Sequence, residues 1–131
     1  IDERRSDFSL TLWDNQPIRG QRIEQVWFAG VHSDVGGGYA DDRSLANISL
    51  RWMSERALET GLALSDLPQG SVTGNEFMHD SYIPPYTLVP PVARDITSGR
   101  LHESVYRRLL TPQAQYRPDN LKHWWPQVSG W

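Results

Sequence analysis

The chain has 131 residues, 13 Lys and Arg against 16 Asp and Glu, a net charge of −3 and no cysteine. That length allows one domain with a buried core. The scattered, slightly acidic charge excludes the basic footprint of a nucleic-acid or anionic-membrane binder, and the missing cysteines exclude disulfides, thiolate catalysis and Cys-ligated zinc.

No apolar stretch nears the roughly 18 to 20 residues that span a bilayer, and the start does not resemble a signal peptide, so the chain reads as soluble. It opens at Ile1 rather than at a methionine, which reads as processing or as a piece of something longer.

In chain order, residues 1–8 (IDERRSDF) are charged, and residues 8–13 (FSLTLW) alternate well enough for a short strand or extended edge. Asn15, Pro17 and Gly20 mark a turn. Residues 26–31 (VWFAGV) then form a continuous apolar run, so residues 25–31 read as a parallel strand buried on both faces with strand neighbours on both sides. His32, Ser33 and Asp34 end that run, and Gly36, Gly37 and Gly38 follow in a loop. In parallel sheets the carboxyl ends of the strands carry the chemistry, so this polar triplet reads as an active-site edge.

A helix is predicted over residues 45–60, with Asp41, Asp42 or Ser44 as N-cap and Gly61 as terminator. Leu45, Ile48 and Trp52 make one apolar stripe and Leu50, Met53 and Ala57 an adjacent one, together able to cover a sheet. Prolines make residues 64–99 loop-like, with only residues 86–89 able to pair briefly. A short helix is predicted over residues 101–110, ending before Pro112. Trp124, Trp125 and Trp131 suggest a tail packed as a flap.

Strand, glycine loop and helix make half of a parallel α/β unit, so the fold class is α/β. One convincing buried strand with weak companions implies a sheet designed around strands that precede Ile1. Residues 1–131 are thus expected to be the C-terminal portion of a single larger α/β domain.

The block QVWFAGVHSDVGGGY, with IDERR before it, SLANISLRWM after it, His79-Asp80-Ser81, His102-Glu103-Ser104-Val105, Tyr116-Arg117-Pro118 and Asn120-Leu121, resembles a known family. It is similar to the α/β-hydrolase catalytic domain of type VI secretion phospholipase effectors, the Tle-one-like group. The resemblance implies a Ser-Asp-His triad, hydrolysis of lipid or ester substrates, and no cofactor. It also implies a secreted effector acting in a target-cell periplasm, with a secretion or immunity partner. The family's nucleophile lies in an upstream G-x-S-x-G elbow, which this chain lacks. Ser33 does not replace it, because its flanking glycines, Gly30 and Gly36, stand three residues away on each side.

The chain therefore reads as the acid and base half of a hydrolase, completed by the upstream part of the same domain. In α/β-hydrolases the acid precedes the histidine. Asp34 with His79 respects that order and is preferred; Asp2 with His32 is the alternative, and mixtures including His102 stay open. If Asp34 and His79 are the pair, the second nitrogen of His79 is expected to face open space. In that case His32 supports the loop and orients Asp34, while His102 begins the short helix and His123 packs in the flap. A metal site on His32, Asp34 and His79 lacks compact ligand spacing, and three acidic neighbours argue against phosphate at the glycines. A rival of another class is a non-catalytic remnant that binds a protein partner through its Trp- and Pro-rich second half.

Overall fold

The computed structural model describes residues 1–14 and 16–127, with the backbone alone for 125–127. Asn15 of the expected turn, and Trp131 and the Trp125 side chain of the expected flap, lie outside the described residues. Two short strands, β1 (Val26–Trp27) and β2 (Arg100–Leu101), pair in parallel, with Val26 opposite Arg100 and Trp27 opposite Leu101. Among the described residues three α-helices accompany them: α1 (His32–Gly36), α2 (Ser44–Glu59) and α3 (Glu103–Leu110). The architecture is mixed α/β.

The apolar run is buried as its composition predicts, because alternate side chains enter different cores. Trp27 and Ala29 join Ile1, Ile96, Leu101, Val105, Leu109, Tyr116 and Leu121, with α3 supplying Val105 and Leu109. Phe28 points the other way, to Leu45 and Ile48 of α2, and meets Trp52 edge-on at 5.8 Å. Burial of both faces explains why no polar residue interrupts residues 26–31.

The ladder itself is shorter than expected, and among the described residues it has one strand neighbour rather than two. Gln25 and Trp27 carbonyls accept from the N–H groups of Arg100 and His102 at 3.0 and 2.9 Å. Beyond Trp27 the carbonyls on the opposite edge accept from the start of the chain: the Ile1 amino group reaches Phe28 at 3.0 Å, and the Asp2 N–H reaches Gly30 at 3.2 Å. Ile1 and Asp2 thus occupy the place of a second strand, and the turn into α1 at His32 ends the extended stretch. Gly99 opens β2 at φ +85°, where an added Cβ would stand 2.8 Å from the Gln25 carbonyl.

Helix α2 lies within one residue of its predicted span. Asp42 accepts the Ser44 N–H at 2.8 Å and serves the first turn, and Gly61, at φ +91°, closes the end by donating to Leu58. Its packed stripe is narrower than predicted: Leu45 and Ile48 are buried, but Leu50 and Met53 are 54% and 58% exposed. A sheet of two strands is too narrow to cover the second stripe.

Helix α3 begins two residues later than predicted, because Arg100 and Leu101 are drawn into β2. His102 becomes its N-cap, with Nδ1 accepting the Ser104 N–H at 3.2 Å. Residues 8–13 form no strand; after a 3₁₀ turn at Ser6–Phe8 the chain has no regular element, and Trp13 is tied by the Gln25 side chain at 2.8 and 3.1 Å. A side chain, rather than a neighbouring backbone, meets this segment, so no ladder forms. Tyr86–Leu88 is a 3₁₀ turn rather than a pairing strand. Trp124 packs on the main core and donates to the Ile96 carbonyl at 2.9 Å, in keeping with a packed tail. Among the described residues no helix is long and apolar enough to cross a membrane.

Candidate functional site

Asp34 sits in the first turn of α1, immediately after the buried run. Residues 32–36 are helical where a loop was expected, and the reason is local: Asp34 Oδ2 accepts the Val31 N–H at 3.1 Å and so closes the turn. The carboxylate is 2% exposed. It fits there because residue 30 is glycine, at φ +113°, pressed against the Asp34 side chain.

His79 meets this carboxylate twice. Its backbone N–H donates to Oδ2 at 3.2 Å, and its ring Nδ1 lies 2.6 Å from Oδ1. An ionised carboxylate only accepts, so Nδ1 carries the proton and the ring's orientation is set. Tyr39 stacks flat on the imidazole, centroids 3.5 Å apart and planes 13° apart, and Phe77 meets it edge-on at 4.8 Å. The ring therefore has little freedom to turn.

Nε2 does not face open space. Asp41, just past the glycines, places its carboxylate 3.2 Å from it. Burial works to depress the His79 pKa, but hydrogen bonds to Asp34 and Asp41 and their charges outweigh burial and raise it above the ordinary histidine value. The sequence marks Asp41 as a helix-cap candidate and as an acidic neighbour of the glycines, not as a partner of His79; its place just after the glycine run was the available signal.

The other predicted groups lie elsewhere. The ring of His32 is exposed and rests on Phe8 at 4.7 Å, while its backbone N–H donates to Glu3 at 3.1 Å. The structure does not bring that ring to Asp2 or to Asp34. Asp2 is engaged by the Gly30 N–H at 2.7 Å and by the Tyr116 hydroxyl at 2.9 Å. His102 caps α3, and its ring stacks on Phe28 at 4.6 Å; burial lowers its pKa. His123 Nε2 lies 3.0 Å from the Ile96 carbonyl. Among the described residues no group of three His, Asp or Glu side chains is arranged to hold a metal ion.

Glu3, which sequence reasoning passed over, ties the site's segments together. Its buried carboxylate accepts from the Arg5 guanidinium at 2.9 Å, the His32 N–H at 3.1 Å and the Ser81 hydroxyl at 3.0 Å. Burial would raise its pKa, yet the bonds from Arg5, His32 and Ser81 bring it down to about 2. One ionised side chain thus joins the amino-terminal segment, the start of α1 and the segment after His79.

Residues 1–56 match the model of the family described as type VI secretion system phospholipase effector, Tle1-like, catalytic domain. That stretch includes Glu3, Asp34 and Asp41 and stops before His79. An uncharacterised protein of Saccharomyces cerevisiae is 48% identical over 42 residues, which cover 29% of this chain and 6% of that protein. No solved structure matches. Over its first 56 residues, then, the chain resembles the catalytic domain of these phospholipase effectors.

Proposed function

We propose that this chain carries the acid and the base of a Ser-Asp-His hydrolase of lipid esters, with an α/β-hydrolase fold completed by an upstream part of the same domain. The observation that carries the reading is the 2.6 Å contact between Asp34 Oδ1 and His79 Nδ1, with Asp34 Oδ2 pinned by two backbone N–H groups. A carboxylate so held fixes the imidazole tautomer that leaves Nε2 as the proton acceptor.

In this reading the serine oxygen attacks the ester carbonyl carbon while its proton passes to His79 Nε2. Asp34 stabilises the imidazolium that forms. Collapse of the tetrahedral intermediate breaks the bond to the alcohol, which leaves with the proton from Nε2. Water then repeats the sequence on the acyl-enzyme, with His79 again as base, and releases the carboxylic acid. A pocket of about 520 Å³ beside His79, lined in part by Ile1, Val31, Met78, Pro91 and Ala93, offers an apolar place for the ester's hydrocarbon. A second groove of about 440 Å³ follows the outer edge of β1 between Leu12, Trp13 and Met53 and suits the upstream part. The likeness of residues 1–56 to a phospholipase effector domain favours a lipid ester over other acyl compounds. It also favours a secreted effector, with a dedicated secretion or immunity partner.

The test joins these residues to a nucleophile-bearing upstream segment and follows release of fatty acid from phosphatidylcholine vesicles. His79→Ala is expected to lower turnover by about 10³-fold or more with folding intact, and Asp34→Asn by a comparable factor. Full activity in His79→Ala would overturn the assignment.

A further inference from the structure

We propose that Asp41 is a gate on His79: it occupies Nε2 while the ring is protonated and leaves when the ring is neutral, so that the base is released only above a threshold pH. This inference rests on the reading of His79 as the base.

With Nδ1–H committed to Asp34, a neutral imidazole has only a lone pair at Nε2, and an ionised carboxylate has no proton to offer it. The 3.2 Å approach of Asp41 is therefore attractive only when Nε2 carries a proton of its own. The geometry is that of an imidazolium held between two carboxylates, and an imidazolium cannot accept a proton from a serine. Where the hydroxyl of a nucleophile would have to stand, Asp41 stands instead.

The gate is built to move. Asp41 is 71% exposed, whereas its opposite number Asp34 is 2% exposed and anchored by backbone N–H groups. It follows Gly36, Gly37 and Gly38; Gly37 takes φ +78° without strain, and Gly37 and Gly38 donate to the Ser33 carbonyl at 3.0 and 3.1 Å, so the turn ahead of Asp41 is held while its side chain stays in solvent. The groups that face the ring are few. Asp34 comes from α1, and Asp41 and the stacked Tyr39 come from the glycine turn. Asp42 follows, tied to Ser44, and on the far side Asp80 is paired with Arg4 at 2.7 Å. Only Asp34 and Asp41 touch ring nitrogens among the described residues, and both favour the charged form.

The sign follows. Below the His79 pKa the ring is bridged and the site closed; as pH rises through it, the proton leaves Nε2, Asp41 is repelled and the lone pair is exposed. Removing Asp41 lowers the pKa and moves the opening to lower pH.

The experiment uses the 131-residue chain. The His79 pKa is followed by nitrogen-15 imidazole spectra, and access to Nε2 by the rate of carbethoxylation with diethyl pyrocarbonate, mapped by mass spectrometry. Asp41→Asn is expected to lower the pKa and to speed modification at about pH 6, by up to roughly tenfold for each unit of pKa lost. Asp42→Asn, one residue away, is expected to change neither. Should Asp41→Asn leave pKa and rate at wild-type values while Asp34→Asn lowers the pKa, the gate is wrong and the acid-base pair stands. Should Asp34→Asn also leave the pKa unmoved, the reading of the pair falls, and the gate with it.

Discussion

A β-carbon placed on Gly30 would stand 2.6 Å from the Cβ of Asp34, closer than real contacts allow. The glycine also sits at φ +113°, a conformation that L side chains rarely adopt. Close approach and backbone conformation together deliver the carboxylate to His79. Gly30→Ala is expected to cost about 2 kcal/mol or more in urea unfolding, from backbone strain and overpacking combined. It should also lower the His79 pKa, because Asp34 is pushed from its place. An unfolding midpoint and a His79 titration both equal to wild type would refute this account of Gly30.

The raised pKa of His79 makes part of the stability pH-dependent. The folded state binds the imidazole proton more tightly than the unfolded chain. The contribution is therefore fully present below the unfolded value of about 6.5 and disappears as pH rises through the folded value. The stability difference between wild type and His79→Gln is expected to be larger at about pH 5.5 than at about pH 9, measured by denaturant titration at each pH. A difference that grows towards alkaline pH would contradict the sign.

Glu3 gives the opposite dependence. Its pKa falls from 4.5 to about 2, so its stabilisation is present above the unfolded value and is lost as pH falls from there through about 2. The side chain is nearly buried. At roughly 1.4 kcal/mol per unit the shift corresponds to about 3 kcal/mol, and Glu3→Gln is expected to destabilise the neutral protein on that order. The loss should shrink when both proteins are compared at about pH 3. Equal stability at neutral pH would show that Glu3 does not hold the three segments together.

His102 and His79 should separate cleanly. His102 caps α3 through Nδ1, so His102→Ala is expected to cost about 1 kcal/mol of stability. In a polypeptide that includes the nucleophile, ester hydrolysis should survive that change and not His79→Ala. Loss of turnover in a folded His102→Ala protein would move the base away from His79.

The 131-residue chain by itself is expected to hydrolyse no ester and to take up no fluorophosphonate, because an acid and a base without a nucleophile form no acyl-enzyme. Ser33 lies in the first turn of α1, its carbonyl accepts from Gly37 and Gly38, and its φ is not positive, so it lacks the strained backbone of a nucleophile elbow. Hydrolysis that disappears in Ser33→Ala would reverse both statements.

Local chemistry made much of this protein readable from its residues. The unbroken apolar run through Trp27 and Phe28 could be read as doubly buried because every position had to satisfy one of two cores. The span of α2 followed from apolar spacing and from Asp42 and Gly61 at its ends. Asp34 and His79 were the preferred pair because the chain order of acid and histidine in α/β-hydrolases and the family resemblance both pointed to them, and their side chains lie 2.6 Å apart.

Other features depended on which backbone met which, and no local pattern carries that information. β1 stopped at Trp27 because Ile1 and Asp2, not another strand, reached its far edge. Leu101 left the helix predicted for it because β2 claimed it, and among the described residues the Phe8-to-Trp13 segment is met by side chains, His32 and Arg5 at Phe8 and Gln25 at Trp13, rather than by a strand. Leu50 and Met53 remained exposed because two strands present too little sheet to cover them. Asp41 came to His79 Nε2 through the path of three glycines, whose freedom leaves the direction of the chain to long-range contacts. Side-chain type and spacing determined what could be buried or charged, while the tertiary structure decided which charge stands against which nitrogen.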